Sequence, residues 1–202
     1  MQKLITFIAA LFLWLSLFSQ DAMQQWDKDV ISKANTGANT SYLSEEEKKV
    51  ILLTNLARYD GKLFSESFLE DFLQGQKPTK FTRSLFRDLE KVKSLPMLEP
   101  EKDLFEIALG HAELSGKNGT TGHQRFEKRF DPVMGKYNAV AENCAYGFEN
   151  AFNNVLQLLI DEGINDVGHR KNMLNPDYNS IGVSIQDHKE YRFNCVMDFG
   201  RK

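Results

Sequence analysis

Two histidines and two acidic residues are the groups in this chain best suited to chemistry: His123, Glu142, Glu162 and His169. Glu142 lies in the run Ala141–Gly147 (AENCAYG), which has strand character on both sides of it. A glutamate in a buried strand is costly unless it is paired, hydrogen-bonded or bound to a metal, so it faces either solvent or a site. Glu162 ends a helical pattern. Seven residues advance a helix nearly two turns, which puts Glu162 within roughly 20° of Val155 and, with Leu159, on the apolar face. Asp161 falls on another side. His169 opens the short helical run GHRKNML, and His123 sits in the turn Thr121-Gly122-His123. Of the 4 histidines, His111 reads as a hydrogen-bonded residue beside core positions, and His188, in Asp187-His188-Lys189, as a solvated hairpin turn. Two imidazoles and two carboxylates suit a divalent transition metal, zinc included. They equally suit acid–base work, with Glu142 and Glu162 as the candidate catalytic groups. No His-Glu-x-x-His is present, so spacing alone does not choose between these roles.

These residues must be positioned by a mixed set of elements. Ser44-Glu45-Glu46-Glu47 is a capping box opening a helix that runs to about Arg58. Residues 64–94 predict two short amphipathic helices split at Gln74–Pro78. Leu104, Ile107, Ala108, His111 and Leu114 recur at helical spacing and predict a longer helix that ends at Lys117–Gly119. After the AENCAYG strand come a helix over 151–162, the short helix at His169, and two strands around 180–186 and 191–199. Helices first, then a strand, helices and a hairpin predict a small, mostly antiparallel sheet with helices packed on it, an α+β arrangement.

The chain has 202 residues, 42% hydrophobic and 26% charged, which fits one globular domain. Its net charge of −3, without a basic block, argues against nucleic acid as a partner. Met1–Lys3 followed by the apolar run Leu4–Phe18 and the polar Ser19-Gln20-Asp21 has the layout of a secretory signal peptide over 1–20. That run is shorter than the about 20 apolar residues a membrane-spanning helix needs, so no span is expected once it is removed; the alternative is an uncleaved anchor. Residues 21–43 read as a polar, loosely ordered lead-in, and the domain proper as 44–202. Export would place Cys144 and Cys195 in an oxidising compartment and favours a disulfide between them. Closing a loop of about 50 residues, that bond would be worth roughly 4 kcal/mol.

Taken in order, the motifs resemble the CAP superfamily: cysteine-rich secretory proteins, antigen five and pathogenesis-related group-one proteins. The residues that carry the resemblance are Asn55-Leu56-Ala57-Arg58, Leu95-Pro96-Met97-Leu98 with the helix after it, Gly122-His123, Ala141-Glu142-Asn143, Leu159–Glu162, and Gly168–Leu174 followed by Ile181-Gly182-Val183. The resemblance covers about residues 44–202 and implies a three-layer α-β-α sandwich. It also implies a cleft where His123, Glu142, Glu162 and His169 meet. Asn143 would orient neighbouring backbone. Cys144 would face the opposite way from Glu142, toward the core, whereas strand alternation puts residues 142 and 144 on one face unless a bulge intervenes. Leu159 stands where many relatives have Trp, and the long connection to His169 leaves Asp161 as a substitute for Glu162. Residues 64–94 form a helical insert that compact members lack.

The functions this implies are those of a secreted or periplasmic protein. In the first, the cleft binds zinc or another divalent cation through His123 and His169, and an unidentified small-molecule, lipid or protein ligand, without catalysis. In the second, the same cleft is a metal-dependent, peptidase-like hydrolase. In the third, the four polar residues are only a structural network in a surface-interaction protein.

Overall fold

The computed structural model describes residues 22–202; the expected signal segment, 1–20, lies outside the described residues. Helix α1 (Lys28–Ala34) starts at Asp27, whose carboxylate accepts the Asp29 N–H. Helix α2 (Glu45–Tyr59) carries the expected capping box: Ser44 and Glu47 satisfy each other's backbone N–H groups. A helical segment follows in three pieces: α3 (Gly61–Phe64), a π-helical turn (Ser65–Leu69) and α4 (Glu70–Leu73). Helix α5 (Lys80–Leu89) begins at its own cap, Thr79. Next come β1 (Glu99–Pro100), the long helix α6 (Lys102–Asn118), α7 (Phe126–Phe130) and β2 (Ala139–Tyr146). Helices α8 (Ala151–Ile160) and α9 (Gly168–Met173) lead into the hairpin β3 (Ser180–His188) and β4 (Arg192–Arg201).

The sheet order is β1-β3-β4-β2, with only β1 parallel to its neighbour, so β2 is an edge strand. Helix α6 covers one face. It comes so close that a side chain at Gly182 would meet the Leu104 carbonyl carbon at 2.2 Å, and only glycine admits that approach. On this side Ala108 and Ala112 pack on Cys144 and Val196. The other face carries the main core: Ile181, Val183, Met197 and Phe199 pack with Leu56 of α2 and Val155 and Leu159 of α8. The result is the expected α-β-α sandwich.

Three expectations are corrected. Residues 22–43 are not a loose lead-in: Trp26 is only 4% exposed, and its indole N–H donates to Ser67 Oγ at 3.0 Å. Asn55 Nδ2 donates to Ala34 O at 2.9 Å, tying α1 to α2. Polar composition concealed a few apolar anchors, namely Ala22, Trp26, Ala34 and Leu43. Second, Cys144 and Cys195 are free and buried. Cys144 lies opposite Val196, while Cys195 lies opposite Ala145, so the two thiols project from opposite faces of the sheet and cannot bond without a register slip. Third, His188 is buried, not solvated: its Nε2 lies 3.0 Å from Thr120 O, and its Nδ1 accepts the N–H groups of Glu190 and Tyr191.

Two buried arginines bind the helical layer together. The Arg58 guanidinium donates to the carbonyls of Pro96, Met173, Asn175 and Tyr178. Burial lowers its pKa to about 10, which leaves it charged at neutral pH. Arg170, 2% exposed, donates to the carbonyls of Phe81, Leu159 and Ile160, to Ser84 Oγ and to Asp88. It thereby anchors α5, part of the insert, to the end of α8. A lysine offers three donors where the guanidinium offers five. Arg170→Lys is therefore expected to destabilise the fold by about 2–4 kcal/mol in chemical denaturation, because it strands buried acceptors. Both cysteines are expected to react with a thiol reagent only after unfolding, and the oxidised protein to keep its unbridged mass.

Candidate functional site

Strand β2 is the axis of the site because successive side chains leave it on opposite faces. Glu142 turns toward the α6 side, where its side chain is fully buried. One oxygen accepts from His123 Nδ1 at 2.8 Å and from Arg129 Nη2 at 2.9 Å, and the other from Arg129 Nη1 at 2.6 Å. Arg129 is held in turn by its Nε donating to Gln124 O. Burial alone would raise the Glu142 pKa, but the His123 and Arg129 hydrogen bonds and the Arg129 charge outweigh it and bring the group to about 2. Glu142 is thus a fixed anion.

Asn143 turns the other way. Its amide Nδ2 donates to His169 O at 2.9 Å, and its Oδ1 accepts from Asn172 Nδ2 at 2.9 Å. That pins the start of α9 to the strand. His169 Nδ1 meets Asp161 Oδ1 at 2.7 Å, and the His169 backbone N–H donates to Asp161 Oδ2 at 3.0 Å. Two imidazoles therefore approach one another at the edge of β2 from the two outer layers. Their ring centroids are 6.5 Å apart, and their side chains are 46% (His123) and 23% (His169) exposed. In each ring Nδ1 is committed to a carboxylate as donor, so in the neutral imidazole it is Nε2 that carries the lone pair.

The structure brings together His123, Glu142 and His169, but not Glu162. Helix α8 stops at Ile160, and Asp161 adopts a left-handed conformation with φ 57°. The helical phase that placed Glu162 beside Val155 and Leu159 ends two residues before it. Asp161 turns to His169, and Glu162 instead accepts from Thr79 Oγ1 at 2.7 Å on the surface. Sequence reading also missed two groups. Arg129 lay within a short basic run, Arg125–Arg129, that looks like any solvated helix. Asp198 carried a readable signal, a carboxylate inside the apolar strand Cys195–Phe199, the same anomaly as Glu142. It lies directly opposite Glu142, fully buried, with no hydrogen-bond donor to either oxygen. Burial and the Glu142 charge push its pKa well above the usual carboxylate range, so it stands neutral and spares Glu142 a second negative charge.

Which groups could hold a metal follows from the lone pairs. His111, Glu142 and Cys144 place ligand atoms within 4.8 Å of one another. However, His111 Nε2 lies 2.9 Å from Gly122 O and so carries a hydrogen, the buried Cys144 thiol is pushed up and stays protonated, and Glu142 is taken by Arg129. That trio does not fit a cation. The Nε2 atoms of His123 and His169 are the remaining imidazole nitrogens of the cleft, and imidazoles whose Nδ1–H is held by a carboxylate are a usual presentation for zinc and its neighbours. Two such nitrogens are fewer than the three protein ligands of a typical catalytic zinc, so most of the coordination sphere would be open.

A family model described as the cysteine-rich secretory protein family (CAP) matches residues 53–199. An uncharacterized membrane protein of Bacillus subtilis, YlbC, is 32% identical over 111 residues, covering 50% of this chain and 29% of that protein. This chain thus spans under a third of that relative's length. Among solved structures, an extracellular SCP-domain protein of Bacillus anthracis is 25% identical over 54% of this chain and 35% of its own, with a TM-score of 0.45. Venom allergen-like protein 4 of Schistosoma mansoni is 16% identical over 79% of this chain and 90% of its own, with a TM-score of 0.51, a likeness of fold. The family match runs from within α2 into β4 and takes in His123, Glu142, Asp161 and His169, so this chain belongs to the cysteine-rich secretory protein (CAP) family.

Proposed function

We propose that this protein works outside the cell as a binding module. Its cleft would hold zinc or another divalent cation between His123 Nε2 and His169 Nε2 and take a small-molecule or lipid-like ligand beside it. The observation that carries the reading is the matched presentation of the two rings: each is locked through Nδ1 by its own carboxylate, Glu142 or Asp161, at 2.8 and 2.7 Å. A bound cation would supply a Lewis-acidic centre with open positions for ligand atoms. Export is supported by the apolar run Leu4–Phe18 after a basic start and by the secretory family. Among the described residues no helix is long and apolar enough to cross a membrane.

Binding is favoured over hydrolysis because, with both Nε2 atoms on the cation, neither cleft carboxylate among the described residues is free to act as a general base. Glu142 is clamped by Arg129 and His123, and Asp161 is committed twice to His169. A base must reach the proton it abstracts, and both carboxylates are spent on orientation. Cys144 is no nucleophile, since its buried thiol is held protonated.

Calorimetric titration of the purified protein with zinc tests this directly. Micromolar or tighter binding is expected, and His123→Ala with His169→Ala abolishes it. Asp161→Asn, which removes only the orienting charge, weakens binding by about 10–100-fold. Glu162→Gln leaves it unchanged. Zinc binding that survives the double histidine substitution, or no zinc binding at all, overturns the proposal.

A further inference from the structure

Asp198 is completely buried in the middle of β4, and neither of its oxygens receives a hydrogen bond. A carboxyl group in that state is costly unless something compensates it. It stands opposite Glu142 on β2 and Gly182 on β3, and residues directly opposite one another share a face of the sheet. Gly182 has no side chain to offer. Helix α6 covers that face with Ala108 and Ala112, and its His111 keeps Nε2 on Gly122 O. Cys144, two residues along β2, is a thiol held protonated by burial, with Sγ 3.8 Å from Gly122 O. The Arg129 guanidinium is committed to Glu142 through both Nη atoms and to Gln124 O through Nε. A second anion would have no match here, and burial beside the Glu142 charge favours the neutral acid.

A neutral acid has a hydroxyl to donate and needs an acceptor for it. The register supplies one. The Gly147 N–H donates to Phe193 O at 2.9 Å, which continues the β2–β4 register. Alternation along an antiparallel pair then leaves Glu142 and Asp198 opposite one another without main-chain hydrogen bonds between them. Such pairs have the closest side chains, with Cα atoms about 4.5 Å apart. A carboxylate offers about four lone-pair sites. Glu142 Oε1 accepts from His123 Nδ1 and Arg129 Nη2, and Oε2 accepts only from Arg129 Nη1. Oε2 therefore has an open lone pair, and the acid facing it has a proton without an acceptor.

We propose that Asp198 is a positioning residue for the cleft: as the neutral acid it donates its hydroxyl to Glu142 Oε2 and so fixes, from behind, the carboxylate that orients His123. The role in the cleft rests on the zinc-binding reading; the shared proton does not. That proton has a signature in stability. The unfolded chain loses it near the ordinary aspartate pKa of about 3.9, whereas the native protein keeps it to higher pH. Between those values the unfolded state binds fewer protons, so this group makes stability fall as pH rises. Asp198→Asn keeps a donor for Oε2 and has no proton to lose.

Chemical denaturation of the wild type and Asp198→Asn from about pH 5 to about pH 7 reads the proton directly. The unfolding constant of the wild type divided by that of Asp198→Asn is expected to rise about tenfold per pH unit, because the groups common to both proteins cancel. Infrared difference spectra at neutral pH should show the carbonyl stretch of a protonated acid, and Asp198→Asn should remove it. Zinc titration gives the positioning readout. Asp198→Asn is expected to bind zinc like the wild type, whereas Asp198→Val, which fills the space but donates nothing, binds about tenfold more weakly. A ratio that does not change with pH, or no acid band in the wild type, overturns the shared proton. Equal zinc binding by Asp198→Val and the wild type overturns the positioning role. A wild type that binds no zinc, with ratio and band as expected, sinks the binding reading and leaves the proton pair standing.

Discussion

One buried carboxylate organises this molecule's site. An ionised glutamate with a fully buried side chain is tolerated only if its charge and lone pairs are matched inside the protein. Glu142 is matched by the two-pronged Arg129 contact and by His123. Helix α7 and the loop that carries His123 are thereby fixed against the α6 side of strand β2. Asp198, across the strand pair, completes the arrangement by staying neutral; a second anion there would leave one negative charge unmatched in the interior.

Strand alternation then extends this local neutralisation to the other layer. Because Asn143 follows Glu142, the next side chain leaves the opposite face of β2, and its amide fixes the first turn of α9. The edge position of β2 lets the two outer layers meet around it, which brings His123 and His169 to within 6.5 Å. A central strand would have kept those layers apart. The site is therefore a property of a sheet edge, and its two halves are held by independent carboxylates.

The same economy bears on function. The polar side chains that flank the two rings are spent on holding something: Glu142 on Arg129 and His123, Asp161 on His169, Asn143 on α9. Groups fixed in this way hold the two imidazole rings in set orientations. Buried Arg58 and Arg170, each donating to several carbonyls, make the helical layer behind the cleft comparably stiff.

Local signals that the sequence carries by itself were readable wherever they depend on neighbours along the chain. Ser44 and Glu47 announce the start of α2, the Gln74–Pro78 break separates the helical segments of the insert, and a lone acid inside a strand-like run marks Glu142 as a residue with a partner. The order of motifs named the family and its sandwich. Tertiary structure decided what depends on distant groups. One left-handed residue, Asp161, ended α8 early and exchanged its own role with that of Glu162. The register of β2 on β4 set Cys144 and Cys195 on opposite faces, a matter of parity that no spacing of 50-odd residues reveals. Arg129 became the counterion of Glu142 only when α7 closed on the strand, and His188 is buried where Tyr146 and Tyr191 pack against its ring and Thr120 O meets its Nε2. Periodicity and capping are local and short-ranged, whereas charge matching and register are settled only when the layers close.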